Sequence, residues 1–298
     1  MPLSLDFAFE GFRIIREKPK LVAFWGLVLL IAGGLTQVLW VAIAGPDMER
    51  FQALMQSHDA NGLTNFMQHA PTRISTAVFA TLPIELVVNA ILSCAVFRAV
   101  WGEKDDRFGY LRVGVDEWRQ LAVQVLLLLV SFGLFFAVGI AAVAIGSAFG
   151  NNGQGVSVMV ALLVVGLVFV AFAFLRLSLC TVESYDRKRV TIFGSWKLTA
   201  RHGWTLLGGY VVAGIMSALV YLLCMIIFSA VASLASGGGL SAGQQGDMTS
   251  LQAYLKPLTI AGIVYANLVV VPLVVALRFG AVAAAYRTLA GQTPDAGV

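Results

Sequence analysis

The chain has 298 residues, of which 59% are hydrophobic and only 12% charged, with a formal net charge of +4. That balance excludes a soluble globular domain. It does not point to nucleic acid either, because the basic residues flank apolar runs and alternate with Glu and Asp instead of forming an open patch.

The first element in chain order is a short amphipathic segment. Asp6, Glu10, Arg13, Glu17 and Lys20 recur every three or four residues, and Leu5, Phe9, Phe12 and Ile15 form the opposite stripe. Ser4 is a candidate cap, and Pro19 is expected to end the segment before the first apolar run.

Six such runs follow, at 21–44, 74–101, 121–148, 156–182, 204–235 and 258–289. Each exceeds the roughly 20 residues that a helix needs to cross the hydrocarbon core of a bilayer. In hydrocarbon every backbone amide must be paired within the chain, and barrel strands would be half as long and alternate polar with apolar. The expected fold class is therefore all-α: a polytopic membrane protein of six transmembrane helices in three hairpins, one domain over 1–298. Ala42-Ile43-Ala44 matches a signal-peptidase site in form. The first run is longer than a signal h-region, however, and Asp6 and Glu10 stand where a basic n-region would be, which favours an uncleaved helix.

Between the first two runs, Met48, Phe51 and Met55 follow Pro46 at helical spacing, which predicts a surface helix, with a break at Asn61-Gly62. A second amphipathic segment after the second run would set Phe108, Leu111, Val115 and Trp118 against Arg112, Asp116 and Arg119. A third, before the fifth run, would set Ile192, Trp196 and Ala200 against Lys197 and Arg201. These segments fit either helices in the lipid headgroup layer or elbows packed under the bundle. Gly150-Asn151-Asn152-Gly153 predicts a tight turn, and 236–246 has the composition of a flexible linker.

All of the 20 Lys and Arg residues except Arg50, Arg73 and Lys256 fall at the ends that share a side with the amino terminus. The positive-inside rule then puts both termini in the cytoplasm. Each returning run also carries an arginine within apolar sequence: Arg98, Arg176 and Arg278. With boundaries near Asp105 and Arg189, this suggests three internal repeats, 1–105, 106–189 and 190–298. The same placement would arise in any three hairpins threaded this way.

Phe193-Gly194-Ser195-Trp196-Lys197-Leu198-Thr199-Ala200-Arg201, followed by Trp204 and Leu206-Leu207-Gly208, resembles the Ser-Trp-x-Leu-Thr signature of the YciC-like proteins and the glycerophosphoryl diester phosphodiesterase membrane domain, both of bacterial inner membranes. Leu111-Arg112-Val113-Gly114-Val115-Asp116-Glu117-Trp118 and Ala285-Tyr286-Arg287-Thr288-Leu289 are similar to segments of that group. The resemblance implies a six-helix module of the bacterial inner membrane. It implies no phosphodiesterase chemistry, which in that group belongs to a separate soluble barrel.

Residues that carry chemistry are sparse. Cys94, Cys180 and Cys224 all lie in apolar runs with no CxxC spacing and read as small core residues. His58, His69 and His202 lack metal-ligand spacing, so no metal or cofactor site is expected. Small residues at Gly209, Ala213 and Ser217 and at Ala276, Gly280 and Ala284 are expected to let helices approach closely. Glu85 and Asn89 stand one turn apart near the middle of the second run, just after Pro83. A mid-membrane carboxylate faces a cavity or a partner. Glu85 and Asn89 therefore form a candidate proton or cation site, or else a neutral acid hydrogen-bonded to a neighbour, with Gln37, Gln124, Tyr265 and Asn267 as candidate partners.

Three functions are compatible with this inventory. The first is a non-enzymatic module that binds lipid or a membrane-protein partner, with Arg98, Arg176 and Arg278 as candidate sites for anionic lipid. The second is a small-solute or ion transporter or channel that uses Glu85, Asn89 and the arginines. The third, a lipid-modifying enzyme, is disfavoured by the lack of a convergent His, Asp or Ser cluster.

Overall fold

The computed structural model describes residues 5–68, 72–104, 107–150, 153–199, 203–235 and 250–291. Among them there is no strand, and six helical segments are long and apolar enough to cross a membrane. The chain is an all-α, multi-pass membrane protein.

A single 3-10 turn, Leu5–Phe9, leads into α1 (Glu10–Glu17), and the first span, α2 (Pro19–Gln56), begins at once. Lys18 breaks the helix between them, and Pro19 takes the first position of α2, where its missing N–H costs nothing. The turn and α1 pack against the sixth span and the start of the fifth rather than standing apart. Small residues make the room. A Cβ on Gly11 would lie 2.5 Å from the Leu277 Cα, and one on Gly280 would lie 2.9 Å from the Gly11 Cα. Phe7 likewise covers Gly209 and meets the Tyr210 ring edge-on at 6.2 Å. Gly209 and Gly280 thus admit the amino-terminal segment, where close approach between spans was expected.

The surface helix expected after Pro46 is not a separate element. Pro46 lies inside α2, which runs on to Gln56, because a proline removes one hydrogen bond and the flanking apolar turns keep the others. The chain breaks instead at Ser57 and His58, where His58 takes a left-handed φ of 54°. The Asp59 carboxylate then accepts the Gly62 N–H at 2.9 Å. Asn61-Gly62 therefore opens the next helix, α3 (Ala60–Gln68), instead of marking a break.

The second span, α4 (Thr72–Trp101), is the pillar of the fold. Every residue of 92–100 is buried, so this end of the helix is enclosed on all sides. Its neighbours are α1, α2, the third span, the sixth span and the short α7 (Cys180–Asp186). Of the segment after α4 expected to be an amphipathic helix, Arg107–Tyr110 is a turn, and only the part from Val115 on is helical, as the start of the third span. Phe108, Gly109 and Tyr110 all adopt left-handed φ values, of 51°, 69° and 61°. The turn folds back on α2, where the Trp25 indole donates to the Gly109 carbonyl at 2.8 Å.

The third and fourth spans, α5 (Val115–Ala148) and α6 (Gly153–Leu177), form a hairpin that packs chiefly on itself and leaves most of its apolar surface outward. Helix α7 follows, then a six-residue α8 (Gly194–Thr199) within the third segment expected to be amphipathic, which begins at the non-helical Ile192 and whose Ala200 and Arg201 lie outside the described residues. The fifth span is α9 (Gly203–Ala235). After a short α10 (Leu251–Tyr254), the sixth span is built from α11 (Pro257–Tyr265), a π-helical turn (Ala266–Val270) and α12 (Val271–Leu289). Ser4, His69, Ala200 to His202, Asn151-Asn152 and the expected linker at 236–246 lie outside the described residues.

The π turn has a local cause. Pro272 offers no N–H to the carbonyl of Leu268 one turn earlier. That carbonyl faces α2 at Gly26, where a Cβ would collide with it. Asn267 bonds back to the Ile263 carbonyl at 2.9 Å, and its side-chain oxygen rests against Gly33.

Candidate functional site

Two polar regions stand out. The first is a layer at the end of the bundle that carries α1, the close of α4, the start of α5, α7 and the close of α12. Arg98, 4% exposed, is its centre. Its guanidinium lies 2.5 Å from Glu117, which is equally buried, and donates to the Tyr110 carbonyl at 2.9 Å. Glu103 and Asp116 stand 4.0 Å away. The other Glu117 oxygen accepts the Gly114 N–H at 2.9 Å, at the amino-terminal end of α5, where a carboxylate is favoured.

Tyrosines and further cations extend the layer. Tyr185 donates to Glu103 at 2.7 Å, Lys18 to the Tyr110 hydroxyl at 3.0 Å, and Lys188 to Asp116 at 2.9 Å. Tyr286 donates to Asp186 at 2.9 Å, and Arg287 to the Val100 carbonyl at 2.5 Å. These contacts tie elements far apart in sequence. Their chemistry is that of a structural clamp, since the charges are already matched.

The second region is a cavity of about 330 Å³ on the flank of the sixth span. Leu29, Gly33 and Thr36 of α2, Glu85, Val88 and Asn89 of α4, Tyr221 of α9, and Val271, Val274 and Arg278 of α12 line it. Glu85, Asn89 and Arg278 are all exposed to this space. Among the described residues none of the three has a hydrogen-bond or ion-pair partner. The π turn contributes Val270 to the wall, so the irregular backbone of the sixth span lies where a membrane protein tolerates it, beside a cavity.

The arginines thus occupy three different settings instead of one vestibule. Arg98 is held by Glu117. Arg176 lies over the Phe172 ring at 4.9 Å and the Trp196 ring at 6.0 Å, with two of its guanidinium nitrogens buried and unbonded. Arg278 alone lines the cavity, together with Glu85 and Asn89, a grouping across helices that spacing along the chain does not display.

None of the expected partners of Glu85 reaches it. Gln37 accepts from Tyr254 at 3.4 Å, Tyr265 donates to the Cys224 carbonyl at 3.1 Å, and Asn267 is bonded within its own helix. Gln124 lies on α5 and does not line the cavity. Thr36 and Tyr221 do line it, and both went unnoticed in the sequence, where a single hydroxyl in an apolar run gives a weak signal. Glu117 and Glu183 were missed as well. Each stands among other polar and charged residues, Asp116 and Arg119 or Asp186 and Arg187, so neither gives the signal of a lone carboxylate in apolar sequence that drew notice to Glu85.

The Gly194-Ser195-Trp196 motif has a clear local role. The buried Glu183 carboxylate, 3.0 Å from Arg187, presses on Gly194 where a Cβ would be. Ser195 donates to the Arg176 carbonyl at 3.0 Å, and Trp196 faces the Arg176 guanidinium. The motif joins α6, α7 and α8. Among the described residues, no three His, Cys, Asp or Glu side chains are grouped to hold a metal ion.

Fold and site together define a six-span membrane protein with a mainly apolar cavity on the flank of its sixth span that carries Glu85, Asn89 and Arg278. No protein-family model, curated protein or solved structure matches the chain.

Proposed function

We propose that this chain is a non-enzymatic module of a bacterial inner membrane that binds lipid in the cavity beside its sixth span. The observation that carries the reading is the joint exposure of Arg278, Asn89 and Glu85 to one cavity otherwise walled by Leu29, Val88, Val271 and Val274. An amphiphile matches such a surface, with a polar head on the three side chains and a chain along the apolar wall. The short segments around Ser195-Trp196, Asp116-Glu117 and Tyr286-Arg287, read as resembling YciC-like proteins and the diesterase membrane domain, suit the same setting.

In this reading both termini are cytoplasmic, since the basic residues cluster at their end of the bundle. The polar edge of the amino-terminal helix, with Glu10, Arg13 and Glu17, lies at the headgroup layer, and its buried edge seals the sixth span. A membrane-protein partner would meet the outward face of the α5–α6 hairpin.

The test is purification in native lipid followed by mass spectrometry of what stays bound, for the wild type and for Arg98→Lys, Arg176→Lys and Arg278→Lys. Retained lipid should fall only with Arg278→Lys, because Lys loses the bidentate grip on phosphate. Absence of retained lipid in the wild type would overturn the reading.

The transporter reading keeps one specific observation, a carboxylate and a π turn beside the same cavity. It predicts a flux in proteoliposomes that Glu85→Gln abolishes. On the lipid-binding reading the substitution is nearly silent, because Gln has similar size and hydrogen bonding.

A further inference from the structure

The polar groups of the cavity are arranged in order along the bundle. Both α4 and the sixth span run toward the charged layer, reaching it at Trp101 and Arg287, whose groups lie 5.7 Å apart. Arg278 precedes Arg287 by roughly 14 Å of helix and is the cavity residue of the sixth span nearest the layer. Asn89 follows Glu85 by one turn on α4, and Thr36 lies beyond Leu29 and Gly33 on α2, which runs the other way. A guanidinium therefore stands at the near end of the cavity, with an amide and then a carboxylate deeper.

An amphiphile entering head-to-layer would present its phosphate to Arg278 and its glycerol to Asn89 and Glu85. The hydrogen-bond inventory then discriminates between lipids. The acylated glycerol of a diacyl phospholipid offers only ester oxygens, which accept; Asn89 can donate to one of them, but an ionised carboxylate accepts too and is left unmatched. Thr36 cannot mediate, since its hydroxyl is donated to the Gly33 carbonyl at 3.0 Å. A free hydroxyl both donates and accepts, so it suits Glu85 in either protonation state. The volume of about 330 Å³ is at the small end for a ligand pocket, with room for a glycerophosphate head and the start of one chain.

We propose that the cavity selects a monoacyl phospholipid, with its phosphodiester on Arg278, its free glycerol hydroxyl on Asn89 and Glu85, and its single chain along Val88, Val271 and Val274. This rests on the lipid-binding reading above and narrows its ligand.

The full-length protein, delipidated in a mild detergent, is titrated with lysophosphatidylcholine and diacyl phosphatidylcholine, whose headgroup carries no hydroxyl, and with glycerol phosphate and inorganic phosphate, with binding read by native mass spectrometry. The monoacyl lipid should bind at least tenfold more tightly than the diacyl one, and neither water-soluble phosphate should displace it. Arg278→Ala should weaken both lipids about tenfold or more. Glu85→Leu should erase the monoacyl preference, and Glu85→Gln, whose amide can also donate to an ester oxygen, should shrink it while keeping monoacyl binding at the wild-type level; this second variant separates lost recognition from lost folding. Equal or tighter binding of the diacyl lipid would overturn the monoacyl assignment and leave lipid binding intact. Displacement by inorganic or glycerol phosphate would assign the site to a free anion and overturn it. No binding of either lipid by the wild type would overturn both readings.

Discussion

Arg98 and Glu117 form an ion pair of 2.5 Å in which each side chain is only 5% exposed. The pair joins the enclosed end of α4 to the first turn of α5. Burying two charges is expensive, and close contact, the Tyr110 carbonyl and the Gly114 N–H offset that cost. Removing one partner leaves the other charge buried and unpaired. Arg98→Ala or Glu117→Leu should each cost about 3–5 kcal/mol, read as a lower melting temperature by tryptophan fluorescence. The double change Arg98→Met with Glu117→Leu should recover most of the loss. As a control, Arg13→Ala, where the arginine itself is 43% exposed although its partner Glu10 is largely buried, should cost less, about 1 kcal/mol.

Gly26 and Gly33 test how the sixth span accommodates its irregular turn. A Cβ at Gly26 would collide with the Leu268 carbonyl, to which Pro272 offers no N–H, and one at Gly33 with the Asn267 side chain. Gly26→Ala should destabilise by about 1–3 kcal/mol, since backbone must move. Gly33→Ala should cost less, because a side chain can turn away. Gly34, one residue on, has nothing within 4 Å of its would-be Cβ, so Gly34→Ala should be neutral or slightly stabilising. Equal losses at Gly26 and Gly34 would refute the close approach.

The six spans were legible because length and lack of charge are one-dimensional signals, and hydrocarbon leaves the backbone no other solution. What surrounds Arg98 was not. Its partner Glu117 lies across a turn whose left-handed Phe108 and Tyr110 have no residue-type signature, and helical spacing read through that turn as a false amphipathic helix. The cavity was half legible. Glu85 and Asn89 announce themselves as polar residues in an apolar run, but their company with Arg278 is a matter of which helix faces which. Without that register, the three arginines looked equivalent, although the structure gives one a carboxylate, one a pair of rings and one a cavity.

Glu10 should give the fold a measurable pH response. Burial against the sixth span pushes its carboxyl above the usual carboxylate range, and Arg13 and Arg287 only partly reverse this. An acid whose pKa is higher folded than unfolded favours the folded state when protonated. Its contribution is therefore present below the ordinary carboxylate pKa and is lost as the pH rises through the raised value. Melting temperature against pH should show this decline in the wild type, and Glu10→Gln should remove that part of it. An unchanged profile in the variant would assign the pH response to other groups.

The threading of the chain is open to a direct test. Basic residues crowd the end of the bundle where Lys18, Arg98, Lys188 and Arg287 are tied to tyrosines, carboxylates and backbone carbonyls, and the positive-inside rule predicts a cytoplasmic location for that end. Single cysteines at Ala60, Gly243, Asp105 and Lys188 report the two sides. Cys94 and Cys180 are fully buried and give little background, and Cys224, half-buried in the fifth span, is replaced by Ala. A membrane-impermeant maleimide applied to intact spheroplasts should label Ala60→Cys and Gly243→Cys. Asp105→Cys and Lys188→Cys should react only after the membrane is opened; the Lys188 side chain is 54% exposed, so accessibility does not limit that reaction. Labelling of Asp105→Cys from outside would invert or break the six-span threading, and with it the placement of Arg278 at the cytoplasmic end of the cavity.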